Sequence, residues 1–252
     1  MIWTLARREL HSMFLSPLAW SILAVIQLIM AMIFLTGFQQ YYEVQAQLAM
    51  LETPPGVSEV VIGNLFQSTA FFLLLVIPLI TMRIISGERR NRTLPLLFSA
   101  PVSMTEIVLG KFFGVVAFLA IMLAMLTLMP LSILFAGSID FGMLASVLLG
   151  TFLLISAFAA AGVFISTLTR EPVVAAVSTF GFLLFLWIID FVAASSTMES
   201  DAELLRYISL LQHFDAMARG VFRSSDVIFY LLFIVTFLVL SIRRLDNDRL
   251  QH

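Results

Sequence analysis

Between Phe141 and Leu168 the chain reads FGMLASVLLGTFLLISAFAAAGVFISTL, 28 residues without a charged side chain. A helix rising about 1.5 Å per residue needs about 20 apolar residues to cross the hydrocarbon core of a bilayer, so this stretch is long enough to span it. Working outward, further uncharged runs lie at Leu18–Phe38, Leu65–Met82, Phe112–Phe135 and Pro172–Ala194, with a shorter one at Val227–Ile242. The last reaches a full crossing when Ser224 and Ser225 are included and Arg243 and Arg244 extend their charges to the interface. Backbone groups in hydrocarbon have no water to bond, which leaves only helices and closed barrels, and the roughly ten-residue alternating segments of a barrel are absent. The sequence predicts an all-α membrane protein with six transmembrane helices, organised as a single transmembrane domain over residues 1–252.

Composition agrees. Of 252 residues, 61% are hydrophobic and 12% charged, with a mean hydropathy of +1.04, which excludes an ordinary soluble domain. The net charge of -2 offers no general attraction to nucleic acid, so none is expected as a partner. With no cysteine, disulfides, thiolate metal sites and cysteine nucleophiles are excluded. The basic residues are unevenly placed: Arg7, Arg8, Arg83, Arg89, Arg90, Arg92, Lys111, Arg170, Arg243, Arg244 and Arg249, 11 of the 14, fall on one side of the spans. The positive-inside rule puts that side and both termini in the cytoplasm. Glu43, Glu52, Glu59, Asp140, Glu199, Asp201, Glu203, Asp215 and Asp226 then face outward. The first apolar stretch exceeds the core of a secretory signal and has no small-residue cleavage site after it, so it reads as retained.

Two loops carry most of the remaining information. The inner one runs Ser86-Gly87-Glu88-Arg89-Arg90-Asn91-Arg92-Thr93-Leu94-Pro95-Leu96-Leu97-Phe98-Ser99-Ala100-Pro101, a charged turn followed by a short helix opened by Thr93 and closed by Pro101. Leu94, Leu97 and Phe98 share one face, which suits either rest on a lipid surface or insertion into a groove of another protein. Ser103 and Glu106 then form a capping box, so the third long helix starts before the membrane and runs on through Lys111. Gly110 and Gly114 on it allow close approach of another helix, within the chain or between chains.

The run from Arg83 to Gly114 resembles the inner loop of type 2 ATP-binding-cassette (ABC) transporter permeases, most nearly the gliding-motility-type subunits. The resemblance rests on Ser86 to Arg90, Thr93 to Leu97, Ala100-Pro101-Val102 and Glu106 to Phe112. It extends to Ala6-Arg7-Arg8-Glu9-Leu10 with Ser16-Pro17-Leu18, and to Gly162 through Thr169 with Val173 to Ala176. Pro95 departs from the family, which usually carries an acid there. The resemblance implies an N-terminal amphipathic elbow helix within residues 1–17, with Arg7 and Arg8 toward headgroups. It implies a cytoplasmic coupling helix, Thr93 to Ala100, between transmembrane helices 2 and 3. That helix would dock into a separate ATPase subunit with Glu88, Arg89 and Arg92 around the contact. A phosphate-binding loop is missing independently of the family: Gly110-Lys111 is followed by Phe112, and Thr105 stands where the motif needs its first glycine. ATP and Mg are therefore expected on the partner ATPase, with no cofactor or metal held by this chain. The further implications are a 2:2 assembly with a second permease, an auxiliary membrane-anchored periplasmic protein, and residence in a bacterial cytoplasmic membrane.

The outer loop, Ser195 to Asp226, repeats apolar residues at helical spacing, including Leu204, Leu205, Ile208, Leu211 and Met217. The family places re-entrant half-helices here, and Leu211 to Gly220 resembles its outer gate, with Gly220 ending a half-helix. His213 and Phe214 lie in that stretch. His213 reads either as a gate residue or as a polar group hydrogen-bonded at the interface. Asp190, the one acid in an apolar span, reads as part of a path or as an interfacial group. The 13 methionines and 24 phenylalanines suit a cavity for an apolar substrate or, equally, lipid-facing and core positions.

Three other classes compete. An intramembrane enzyme lacks support, because His11, His213 and His252 are the only histidines and no Ser-His or paired-acid arrangement falls within the spans. A gradient-driven transporter would place charges near the midplane, where these spans are nearly free of them. A non-transporting scaffold remains as a further alternative. The reading adopted is a permease subunit of an ABC exporter.

Overall fold

A computed structural model describes residues 1–48, 50, 56–94, 102–135, 139–195 and 209–250. The described residues form helices and turns without strands. Six helical segments are long and apolar enough to cross a membrane.

Helix α1 (Ile2–Phe14) turns through Leu15 and Ser16 into α2 (Pro17–Leu48). The turn is closed by the Ser16 amide donating to the Met13 carbonyl at 3.0 Å and by Trp20 Nε1 donating to the Phe14 carbonyl at 2.9 Å. With 32 residues α2 is about 48 Å long, well beyond the roughly 30 Å hydrocarbon core. Its C-terminal third, with Gln39, Gln40, Tyr41, Tyr42 and Glu43, continues as helix past the apolar run because nothing in that polar stretch breaks it. A π turn at Ser58–Ile62 leads into α3 (Gly63–Thr81), and α4 (Ser86–Arg90) follows after a short break.

Helix α5 (Met104–Ser132) opens on the capping box: Ser103 Oγ accepts from the Glu106 amide at 3.2 Å, and the Glu106 carboxylate accepts from the Ser103 amide at 3.0 Å. Helix α6 (Phe141–Leu168) is capped by Asp140, whose carboxylate accepts from the amides of Gly142 and Met143. Then come α7 (Pro172–Ser195), α8 (Leu210–Ala218) and α9 (Ser224–Leu250).

The centre of the bundle is α6, which packs against α3, α5, α7, α8 and α9. Its small residues explain how one helix serves so many neighbours. A Cβ on Gly150 would lie 2.8 Å from Met217 Cβ of α8, and one on Gly162 would lie 2.8 Å from Thr81 Cβ of α3. Ala157, Ala159, Ala160 and Ala161 are fully buried between these contacts. By contrast α2, α7 and α9 leave large apolar side chains exposed, including Leu28, Met32, Phe185, Phe191, Leu232 and Val235, as helices facing hydrocarbon do.

The break between α3 and α4 has a specific cause. Ser166 Oγ accepts from the amides of both Ile85 and Ser86 at 3.1 Å, replacing the carbonyls a continuous helix would have supplied. Ile85 and Ser86 are completely buried. Ser166→Ala strands both donors, and at roughly 1–3 kcal/mol for each buried unpaired group it should destabilise the fold by about 2–6 kcal/mol. A clearly lower thermal unfolding midpoint in detergent is the expected reading; an unchanged midpoint would contradict the assignment.

Candidate functional site

Helix α4 and the turn after it form the basic end of the bundle. The Asn91 amide donates to the Gly87 carbonyl, the Arg92 amide to Arg89, and the Thr93 amide reaches back to Glu88 at 3.0 Å. This is a Schellman closure with Arg92 at the left-handed position, φ 57°, where glycine is usual. Leu94 is buried directly after it. Pro95 to Pro101 lie outside the described residues, and with them Leu97 and Phe98.

The turn is fastened by charges. Lys111 Nζ of α5 is 2.7 Å from Glu88 Oε1 and 3.2 Å from Glu9 Oε2 of α1. The lysine side chain is only 7% exposed, so the two carboxylates compensate a charge largely removed from water. Arg89 forms an ion pair with Asp248 of α9, and Asp248 also meets Arg244 at 3.6 Å. Of the three charges expected around a partner contact, Glu88 and Arg89 are thus engaged within the chain. Arg92 is exposed and makes no ion pair among the described residues.

Gly110 and Gly114 sit under α1. A Cβ on Gly110 would lie 2.6 Å from Leu5 Cβ, and one on Gly114 would lie 2.7 Å from Glu9 Cβ. The pair therefore seats the N-terminal helix of the same chain, and that seating brings Glu9 to Lys111. Ala6 is buried in this crossing, while Arg7 and Arg8 are exposed.

At the opposite end, α8 gathers the remaining candidates. Ser209 caps α8 by accepting from the Gln212 amide, and its hydroxyl donates to Asp190 of α7. His213 Nδ1 is 2.8 Å from Asp226 Oδ1 of α9, and its ring stacks on Phe229 with centroids 4.3 Å apart. Phe214 is fully buried. Gly220 has φ 81° and closes α8: its amide donates to Met217, and the Val221 amide reaches Ala216 at 2.9 Å. Tyr230 Oη donates to the Leu210 carbonyl at 2.6 Å, and Gln67 Nε2 donates to Asp215 Oδ1 at 3.1 Å. Leu204, Leu205 and Ile208 lie outside the described residues.

Sequence reasoning missed Glu9, Lys111, Asp248, Asp226, Gln67 and Tyr230 as members of these clusters. The pairings join residues far apart in the chain, 102 positions for Glu9 with Lys111 and 159 for Arg89 with Asp248. Lys111 alone carried a signal, as the only lysine and the last charge before the apolar run of its helix.

The family model described as ABC-2 family transporter protein matches residues 3–250, almost the whole chain, in keeping with six membrane-length helices. The chain belongs to the ABC-2 transporter family. It is the membrane permease component of an ABC transporter, a multi-pass protein of a class that works with ATPase subunits. A comparison with curated proteins found no match. In this ABC-2 permease the charged turn after α3 and the capped helix α8 mark opposite ends of the bundle.

Two predictions follow from the clusters. Lys111→Met leaves Glu9 and Glu88 without their shared cation and should cost about 3–5 kcal/mol, the range for breaking a buried pair. Adding Glu9→Gln and Glu88→Gln should recover part of that loss in a mutant cycle read by thermal unfolding; purely additive losses would show that the three do not act together. For Asp215, burial raises the carboxyl pKa above its ordinary value; the Gln67 bond opposes this, nearby Asp190 reinforces it, and Arg219 opposes it. A raised folded pKa means a contribution to stability that is complete below the unfolded pKa and lost as pH rises through the folded one. Asp215→Asn should flatten this part of the stability profile as pH rises out of the ordinary carboxylate range, and an unaltered profile would refute the assignment.

Proposed function

We propose that this ABC-2 permease is the export path of an assembly of two permease and two ATPase subunits, driven through the inner turn after α3. Thr93 to Ala100 is the coupling helix in this reading, with Leu97 and Phe98 inserted into the ATPase and Arg92 at the rim, while Leu94, expected on the same face, is instead buried against the chain's own bundle. ATP and Mg bind to the partner. Closure of the ATPase pair pushes on the coupling helix, and the movement passes into the bundle.

The observation that carries this reading is the way the turn is mounted. Its start hangs from Ser166 of α6, Glu88 is tied to Lys111 of α5, and Arg89 is tied to Asp248 of α9. A force applied just beyond Thr93 therefore acts on three long helices together rather than on a loose loop. In the same reading α1 is the elbow helix on the cytoplasmic leaflet, with Arg7 and Arg8 at headgroups and both termini in the cytoplasm. Residues around α8, with His213, Phe214 and Gly220, form the outer gate, and Asp190 borders the path. The membrane is the bacterial cytoplasmic one. The gliding-motility-type affinity, carried by the Arg83 to Gly114 run, adds an auxiliary membrane-anchored partner on the outer side.

The test is purification from the native host in mild detergent, with identification of co-purifying chains and measurement of ATP hydrolysis. A nucleotide-binding subunit in 2:2 stoichiometry is expected, and Leu97→Asp with Phe98→Asp should abolish permease-stimulated turnover while leaving membrane insertion intact. Unchanged turnover would overturn the coupling assignment. A stable chain without an ATPase would favour a gradient-driven transporter or a scaffold.

A further inference from the structure

A cavity of about 320 Å³ opens at the basic end between α1, the α3–α4 junction and α5. Arg8, Glu9, Arg83, Glu88, Asn91 and Lys111 line it. A second cavity, about 210 Å³, shares Glu9, Ser12, Arg83 and Ile84 with the first and continues past Leu18, Leu79, Ile80 and Phe118. The two adjoining cavities make a cleft charged at one end and apolar at the other, with Glu9, Ser12, Arg83 and Ile84 as their common wall, where α1 and the start of α2 meet α3.

Its charges are incompletely matched from within. Lys111 uses Glu9 Oε2 and Glu88 Oε1. Glu88 Oε2 is buried and has no hydrogen-bond partner among the described residues. The guanidinium groups of Arg8 and Arg83 are exposed and make no ion pair or hydrogen bond among the described residues. The cleft thus offers two guanidinium forks without a hydrogen-bond or ion-pair partner, an acceptor without a donor buried in its wall, and an apolar extension.

These three features select a ligand chemistry. Guanidinium forks suit a phosphodiester. A buried carboxylate oxygen needs a donor, and a cationic one gives the strongest bond. The apolar extension suits an acyl chain. Free phosphate would leave the extension and Glu88 unused, a choline headgroup has no N–H to donate, and a glycerol headgroup brings a donor without the opposing charge. We propose that this cleft binds an ethanolamine phospholipid from the leaflet at the basic end of the bundle, with its phosphate on Arg8 and Arg83 and its ammonium at Glu88. The bound lipid completes the seam between α1 and α3, so the N-terminal helix is held partly by lipid. The inference rests on the cleft alone and stands whether or not the chain exports.

The test uses the full chain, delipidated in detergent and titrated separately with palmitoyl-oleoyl phosphatidylethanolamine, phosphatidylcholine and phosphatidylglycerol, with bound lipid counted by native mass spectrometry. Tightest retention of phosphatidylethanolamine is expected, with about fivefold weaker retention in each of Arg8→Gln and Arg83→Gln, the usual worth of one basic residue near a lipid surface. Neither arginine makes a described hydrogen bond or ion pair, and Arg8 acts on Glu88 only through space, so both variants should stay close to the wild-type unfolding midpoint in lipid-free detergent. Equal retention of the three lipids by the unaltered chain, or preference for phosphatidylglycerol, would overturn the ethanolamine assignment. Undiminished phosphatidylethanolamine retention in the double variant would overturn the site.

Discussion

The contact on which the functional end of this permease depends is the close approach of α3 to α6. Thr81 packs on Gly162 so tightly that a single added methyl would lie 2.8 Å from its Cβ, and one helical turn later Ser166 takes up the two amides released where α3 breaks. Gly162 and Ser166 are four residues apart, so they lie on one face of α6. Together they fix the end of one helix and the start of the next. The position of α4, and of every charge on it, follows from that face.

From that anchorage the basic end assembles by electrostatics. Removing Lys111 from water is tolerable because Glu9 and Glu88 approach from two different helices, and Glu9 arrives only because Gly110 and Gly114 let α1 settle onto α5. Small residues thus act twice, bringing α3 onto α6 and α1 onto α5. In hydrocarbon, where apolar side chains gain little by leaving lipid for protein, such close backbone approach is a principal source of helix association. The far end uses a different device, a web of neutral and ionic hydrogen bonds around α8 through Ser209, His213, Asp226 and Tyr230. One end is a mount tied into three long helices and the other a short capped helix held at its edges.

Much of the architecture was legible in the order of residues. Uncharged runs located the six membrane-length helices, Ser103 with Glu106 announced the start of α5, and Gly220 marked the end of α8. The charged turn was recognised as well, although its closure by Arg92 in a left-handed conformation was not, because nothing in local composition distinguishes an arginine forced into that conformation from one in a helix. The extent of α2 as a helix was not read, since the uncharged run to Phe38 marks only the stretch suited to hydrocarbon. Apolarity stops near Phe38, but helix formation does not require apolarity and continues to Leu48.

The sequence by itself determined the number and positions of the spans, since transfer of charge into hydrocarbon is costly enough for a list of charged positions to show where a membrane-length helix begins and ends. It also carried the family, through motifs that survive as contiguous residues. Only the tertiary structure decided which charges are engaged within the chain and which remain free for a partner or lipid. Glu88 and Arg92 lie four residues apart in the same turn, yet one is bound to Lys111 and the other faces outward, because that difference is set by where α1, α5 and α9 come to lie. Pairing between helices depends on distances of a few ångströms across long separations in the chain, and helical periodicity reports only which side of its own helix a residue occupies.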